Sequence, residues 1–133
     1  MTAFADTAAL YALLVRTEAG HAVVAETFSA LLGAGRPLVT SNYVLLETTA
    51  LLQRRIGLPA VRDFGECIVP LLDCRWITEP VHRRAVDRLT RADRRHLSLV
   101  DCTSFIVMED EAITDAFTLD VDFTAEGFRV LPG

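Results

Sequence analysis

Short apolar segments alternate with helical segments along the whole 133-residue chain. The predicted strands lack the strict apolar–polar alternation of strands that have one face in water. Strands that are apolar at nearly every position are typical of a parallel sheet covered by helices on both faces. The pattern therefore predicts a single three-layer α/β/α domain over residues 1–133. The predicted strands are residues 2–5, 36–40, 74–78, 116–119 and 128–131.

Start and stop residues mark the helices between these strands. Ser41 is a suitable N-cap, Pro59 and Pro80 suit first helical turns, and Gly57 follows the end of a helix. Trp76, inside the third predicted strand, is expected in the core. The predicted helices are residues 7–15, 18–33, 42–55, 59–72, 80–92 and 98–110.

Composition excludes several classes of protein. Hydrophobic residues make up 51% of the chain, which argues against extended disorder, and the longest apolar run is too short to span a membrane. The three cysteines have no CxxC spacing, so reduced thiols in a cytoplasmic protein are expected. The chain has no Ser/His/Asp or Cys/His set, no GxGxxG and no P-loop.

Four acids stand at or near the predicted strand ends. Asp6 and Asp120 follow strands directly, whereas Glu47 and Asp101 lie on helices that follow other strands. Parallel sheets bind ligands beyond the carboxyl ends of their strands, where the strand order reverses. The four acids are therefore expected to converge at one edge of the sheet.

Each acid also has an ordinary structural interpretation. Asp6 suits an N-cap, and Ser98 with Asp101 resembles a capping box. Asp120 suits a turn, and Glu47, on an otherwise apolar helix face, suits a buried ion pair with an arginine. Together, clustered carboxylates repel each other unless a cation lies among them, and oxygen ligands favour Mg²⁺ or Mn²⁺. Such ions activate water for phosphodiester cleavage, so the four acids predict a metal-dependent nuclease or phosphoryl-transfer site.

Four segments, in this order and spacing, resemble the PIN-domain family, and most of all the VapC-type ribonuclease toxins of toxin–antitoxin pairs. They are "AFADTAALYALL", "TSNYVLLETTALL", "LSLVDCTSFIVM" and "AFTLDVDFTAEGFRVLP". The resemblance implies a five-stranded parallel sheet of order 3-2-1-4-5 and Mg²⁺- or Mn²⁺-dependent cleavage of RNA. It assigns the metal-site positions to Asp6, Glu47, Asp101 and Asp120, and polar supporting positions to Thr7, Ser41, Asn42 and Ser104.

The resemblance also implies protein partners. VapC-type toxins are held by a cognate antitoxin, so an RNA substrate, an antitoxin and either a homodimer or a toxin–antitoxin hetero-oligomer are expected. Apolar residues are abundant in Leu10–Val15 and Val23–Leu32, which suits a partner-binding face. A housekeeping RNA-processing nuclease and a catalytically inactive RNA-binding or interaction module remain as alternatives.

Asp122 departs from the family pattern, in which a histidine or basic residue is frequent at this position. Its charge has two opposite interpretations: it weakens the binding of RNA phosphates, or it serves as a further metal ligand. The spacing to Phe123 favours Asp120 over Asp122 as the family's fourth acid.

All 13 basic residues are arginines, and six of them lie between positions 83 and 95. Four recur at helical spacing and predict a stripe on the helix before Asp101. One interpretation is a solvated helix face, and the other is a phosphate-binding flank that leads RNA to the acids. The stripe consists of Arg84, Arg88, Arg91 and Arg95.

Overall fold

The computed structural model describes residues 1–94 and 96–133. Five parallel strands form one sheet in the order β3-β2-β1-β4-β5, which confirms the predicted fold and strand order. The strands are β1 (Ala3–Ala5), β2 (Leu38–Ser41), β3 (Asp73–Arg75), β4 (Asp115–Phe117) and β5 (Arg129–Leu131).

Helices follow the strands along the chain, as predicted. Within the described residues, none of them has both the length and the apolarity that a membrane crossing requires. The helices are α1 (Thr7–Leu14), α2 (His21–Gly33), α3 (Asn42–Arg55), α4 (Leu58–Asp63), α5 (Glu79–Ala92), α6 (Leu99–Asp110) and α7 (Asp122–Ala125).

The predicted helix 59–72 is broken in the structure. α4 ends at Asp63 and is followed by a π-helical turn, Phe64–Ile68, and a 3₁₀ turn, Val69–Leu71. Pro70 explains the change, because a proline lacks the N–H that an α-helix interior needs and its ring clashes with the preceding turn.

The third strand is shorter than predicted, and Trp76 is not in the core. β3 ends at Arg75, and the Trp76 side chain is 75% exposed. β3 is an edge strand, paired only with β2, so the chain can leave the sheet early. The short helix α7 was also not predicted.

The central strand positions the site. β1 is completely buried and pairs in parallel with β2 on one side and β4 on the other. Phe4 and Phe117 belong to the same apolar core, which fixes the two strands side by side. The residues that follow β1 and β4 therefore meet at the carboxyl edge of the sheet.

At the opposite, amino edge of the sheet, Asp115 begins β4 with only 2% exposure. Its carboxylate accepts hydrogen bonds from Arg36 Nη2 at 2.7 Å and from Arg129 Nη2 at 2.6 Å. The two arginines hold the pKa of Asp115 below its usual value, against the effect of burial. The acid at this edge is therefore neutralised by the protein itself.

Candidate active site

Asp6 is the most buried acid at the carboxyl edge, with 3% exposure. Its backbone N–H donates to the carbonyl of Phe117 at 3.0 Å, which continues the pairing of β1 with β4. Its Oδ2 accepts a hydrogen bond from the hydroxyl of Thr118 at 2.8 Å. Asp6 occupies the N-cap of α1, but its side chain makes no capping hydrogen bond there. The hydroxyl of Thr118 is therefore its side-chain partner, and the N–H of Thr7 is the group of α1 that contacts it.

Asp101 lies in the first turn of α6 and forms the predicted capping box. Its Oδ2 accepts from the Ser98 N–H at 3.0 Å, and its own N–H donates to Ser98 Oγ at 3.0 Å. These bonds fix the side chain at the helix start, where the dipole of the helix favours a negative charge.

Asp120 and Asp122 form the rest of the acidic group. The backbone N–H of Asp120 donates to Thr118 Oγ1 at 3.0 Å, and Asp120 Oδ1 accepts the N–H of Asp122 at 2.9 Å, where α7 starts. Carboxylate oxygens of Asp101, Asp120 and Asp122 lie within 4.8 Å of one another. The structure thus places Asp122 beside the acids, and His96 Nε2 lies 3.3 Å from its Oδ1.

Glu47 lies on α3 and is half-buried. It is near enough that its charge raises the pKa of both Asp6 and Asp101. Neither Glu47 nor Asp6 belongs to the compact group of Asp101, Asp120 and Asp122. All four predicted acids are therefore brought to one edge, but only two of them share the tight group.

The electrostatics of the site are unfavourable without a counterion. Burial raises the pKa of Asp6 to about 7, and the charges of Asp101 and Glu47 add to the rise, although the Thr118 hydroxyl and the Thr7 N–H oppose it. Burial also raises the pKa of Asp101, with smaller contributions from Asp120 and Glu47. Clustered acids with raised pKa values are typical of sites that bind a cation or move protons.

The acids fit a divalent metal ion. Three carboxylates converge within 4.8 Å, and every donor atom is an oxygen. Hard cations such as Mg²⁺ and Mn²⁺ prefer this donor set. Asp101, Asp120 and Asp122 would hold such an ion.

Two of the supporting polar residues are near neighbours of the acids in the sequence. Thr7, directly after Asp6, accepts a hydrogen bond from the buried hydroxyl of Thr48 at 3.3 Å. Ser104 lies one turn after Asp101, and its hydroxyl donates to the carbonyl of Val100 at 3.0 Å. The Thr7–Thr48 bond joins α1 to α3, whereas the Ser104 bond stays within α6.

Ser41 and Asn42 fix the start of α3. Ser41 caps the helix by accepting the N–H of Val44 at 3.2 Å. Asn42 Oδ1 accepts the N–H of Ile77 at 2.7 Å and so joins α3 to the segment after β3. Within the described residues, neither side chain hydrogen-bonds to an acid of the site, and their contacts position the helix that carries Glu47.

Thr118 was missed by the sequence interpretation. It is fully buried, donates to Asp6 and accepts from the N–H of Asp120, so one hydroxyl connects two acids. The signal was present in the sequence: Thr118 is the only hydroxyl residue in the apolar run "AFTL" before Asp120.

The arginines of α5 that were predicted as a stripe face acids. Arg84 pairs with Asp110 at 2.7 Å, and Arg88 pairs with Glu109 at 2.7 Å. Among the described residues, Arg91 pairs with Asp87 alone, an exposed contact on its own helix, and Arg95 lies outside the described residues. The ion pairs of Arg84 and Arg88 favour a structural interpretation over a phosphate-binding one.

Comparisons with known proteins identify the family of the chain. The PIN domain family model matches residues 3–127. The 23S rRNA-specific endonuclease VapC20 of Mycobacterium tuberculosis, in strains H37Rv and CDC 1551, is 39% identical over 100 residues. The alignment covers 73% of this chain and 76% of VapC20.

A solved structure is also similar. It is the crystal structure of the M. tuberculosis VapC20 toxin, described as cleaving the sarcin–ricin loop, and it superposes with a TM-score of 0.82 at 34% identity. The match covers 96% of each chain, so the fold is shared over nearly the whole chain. PIN domains are metal-dependent nucleases, in agreement with the acids at the sheet edge. The chain belongs to the PIN domain family.

Proposed function

We propose that this protein is an endoribonuclease that requires a divalent cation, Mg²⁺ or Mn²⁺, and acts as the toxin of a toxin–antitoxin pair. The observation that carries the proposal is the convergence of the Asp101, Asp120 and Asp122 carboxylates within 4.8 Å at the carboxyl edge of the sheet. The chain's membership of the PIN domain family supports the proposal, as does the name of its relative, an rRNA endonuclease.

The roles of the acids follow from their positions. Asp101, Asp120 and Asp122 are the proposed direct ligands, with Asp6 next to them and Glu47 either a ligand or joined through water. A bound cation would supply Lewis-acid stabilisation of the phosphate and activation of the attacking water. Burial raises the pKa of Asp6 to about 7 although the Thr118 hydroxyl opposes the rise, and a cation held by the neighbouring acids would lower this pKa.

The substrate proposal comes from the relative. VapC20 is named for 23S rRNA and for the sarcin–ricin loop, and the similarity over most of both chains makes this loop the first RNA to test. The proposed reaction takes place in the cytoplasm, where ribosomal RNA is found.

The cleavage test compares two variants on the same helix. Asp101→Asn removes a proposed ligand at the start of α6, whereas Asp110→Asn removes an exposed acid at its end. With Mg²⁺ and a sarcin–ricin-loop RNA, we expect Asp101→Asn to lose about 100-fold or more in rate. Asp110→Asn should keep nearly full activity. Equal activity of wild type and Asp101→Asn would contradict the assignment.

The partner proposal includes a cognate antitoxin and either a homodimer or a toxin–antitoxin hetero-oligomer. Exposed apolar side chains on α2, Val23 and Leu32, suit such a contact. If the protein is a toxin, its expression alone should arrest growth, and co-expression of the small protein encoded beside it should restore growth. Normal growth with intact nuclease activity would favour the housekeeping alternative.

A further inference from the structure

A cavity of about 380 Å³ opens beside the acids, between α3, α5 and the first turn of α6. Its volume lies in the range of pockets that bind small organic groups. The cavity is lined by Tyr43, Leu46, Glu47, His82, Leu99 and Val100.

The lining is aromatic and aliphatic. Tyr43 Oη and His82 Nδ1 lie 2.6 Å apart and satisfy each other, and the two rings meet edge to face with centroids 5.9 Å apart. The hydrogen bond takes up these two polar atoms, so the pair offers mainly ring surface to the cavity. Leu46 is 70% exposed, which leaves a large apolar side chain in water at this place.

The cavity shares a wall with the acidic centre. Glu47 lines it, and Val100 on the opposite helix immediately precedes Asp101. A nucleotide whose phosphate lies at the acids would therefore have its base within reach of the cavity. Flat, apolar pockets with aromatic walls are a common means of holding bases of unpaired RNA, because every base has an apolar face.

We propose that this cavity binds one unpaired nucleobase of the substrate RNA, next to the phosphate that is cleaved. The inference rests on the proposed RNA cleavage and adds a base-binding subsite to it. Glu47 is the only carboxylate in the lining, and a carboxylate accepts hydrogen bonds from the amino and imino groups of bases. Aliphatic Leu46, Leu99 and Val100 cover the face of the base.

The test combines two substitutions with three forms of the RNA. Leu46→Ser changes the cavity, and Ile56→Ser is the matched control, since Ile56 follows the end of the same helix, is 54% exposed and lies outside the cavity lining. Neither side chain is buried, so both variants should fold. The RNA is used intact and with an abasic nucleotide on either side of the mapped cleavage position.

For wild type and Ile56→Ser, we expect the abasic nucleotide at one of the two positions to lower kcat/KM about tenfold. Leu46→Ser should lower kcat/KM for the intact RNA by a similar factor, and the abasic nucleotide should then cause little further loss. This non-additivity is the signature of a base held at Leu46.

Other outcomes would overturn the inference. If abasic substitution lowers kcat/KM equally in all three proteins, the cavity does not hold the base, although the nuclease function stands. If Leu46→Ser leaves RNA cleavage unchanged but weakens inhibition by the antitoxin, the cavity receives a protein side chain instead. If wild type shows no Mg²⁺-dependent cleavage, the proposed function and this inference fall together.

Discussion

A single hydroxyl organises the most buried part of the site. Thr118 has no exposed surface, and it joins the Asp6 carboxylate to the backbone of Asp120. The bond to Asp6 favours the charged form of that acid, whereas burial and neighbouring charges favour the neutral form. Thr118 is therefore a positioning residue that moderates the cost of burying Asp6.

The raised pKa of Asp6 predicts a pH-dependent stability without metal. Between about pH 4 and pH 7 the folded protein keeps a proton on Asp6 that the unfolded chain has lost. The free energy of unfolding should therefore fall as the pH rises through this window. The Asp6→Asn side chain is neutral at every pH. Between these two pH values, the free energy of unfolding of this variant should therefore fall by roughly 2–4 kcal/mol less than that of wild type.

Urea unfolding in the presence of a chelator, at pH 4.5 and pH 8 (about the ends of the window), measures the effect. The variant should gain on wild type at the higher pH and differ little at the lower one. Asp110→Asn is the control, because its partner Arg84 lowers the pKa of Asp110 instead of raising it. A parallel pH profile for wild type and Asp6→Asn would show that Asp6 is ionised in the folded protein.

The positions of some site residues could be predicted from local sequence signals, and those of others could not. The positions of Asp6 and Asp101 follow from strand ends and caps, which are local signals. Asp122 lies in the compact group because the chain turns after β4, where its N–H donates to Asp120 Oδ1. The spacing of the acids along the sequence does not specify this turn. Trp76 was expected in the core because it lies inside the predicted strand 74–78, but β3 ends at Arg75 and leaves its side chain exposed.

At the scale of the elements, α5 and α6 are joined by ion pairs across their interface. Arg88 is the central residue: it pairs with Glu109 and Glu126, and its guanidinium lies 5.2 Å from the centre of the Phe105 ring. Arg88 is 26% exposed, so these contacts are partly shielded from solvent. The acids near the end of α6 thus hold the helix that precedes the Asp101 turn.

This interface predicts different effects for two arginines of α5. Arg88→Met should lower the free energy of unfolding by about 1–2 kcal/mol, because it removes the ion pairs with Glu109 and Glu126 and a cation–π contact. Arg91→Met should change it by less than about 0.5 kcal/mol, since the Arg91 pair with Asp87 is exposed. Urea unfolding measures both.

The same variants test the phosphate-binding hypothesis. If Arg91 contacts RNA, the salt dependence of RNA binding should lose about one unit of slope in Arg91→Met. An unchanged slope would assign Arg91 to a solvated helix face. Comparable loss of stability in both variants would contradict the structural role assigned to Arg88.

The fold as a whole was more predictable than its details. Apolar runs alternating with helices specify a parallel sheet covered on both faces, and resemblance to the PIN family supplied the strand order that the structure shows. The break after α4 depends on Pro70 in a region that has good helical pattern, and α7 depends on a side-chain turn. Both features depend on local bonds, a missing proline N–H and a side-chain turn, and the apolar periodicity that placed the helices does not report such bonds.

The two edges of the sheet treat their acids in opposite ways. At the amino edge, Arg36 and Arg129 neutralise the buried Asp115. At the carboxyl edge, Asp101, Asp120 and Asp122 lie within 4.8 Å of one another, and burial raises the pKa of Asp101. Among the described residues, no arginine pairs with Asp101 or Asp120, whereas two arginines pair with Asp115, so a cation should stabilise the protein through the carboxyl edge.

Two substitutions, one at each edge, separate these contributions. Asp115→Asn should destabilise the metal-free protein by about 2–3 kcal/mol, because its arginines lose their charged acceptor. Millimolar Mg²⁺ should still raise its Tm by about 3 °C or more, as in wild type. Asp120→Asn should leave the metal-free protein as stable or more stable, because repulsion falls, but should lose the Mg²⁺ effect. Thermal unfolding with and without Mg²⁺ measures both effects. If Mg²⁺ raises the Tm of Asp120→Asn as much as that of wild type, the cation binds away from Asp120.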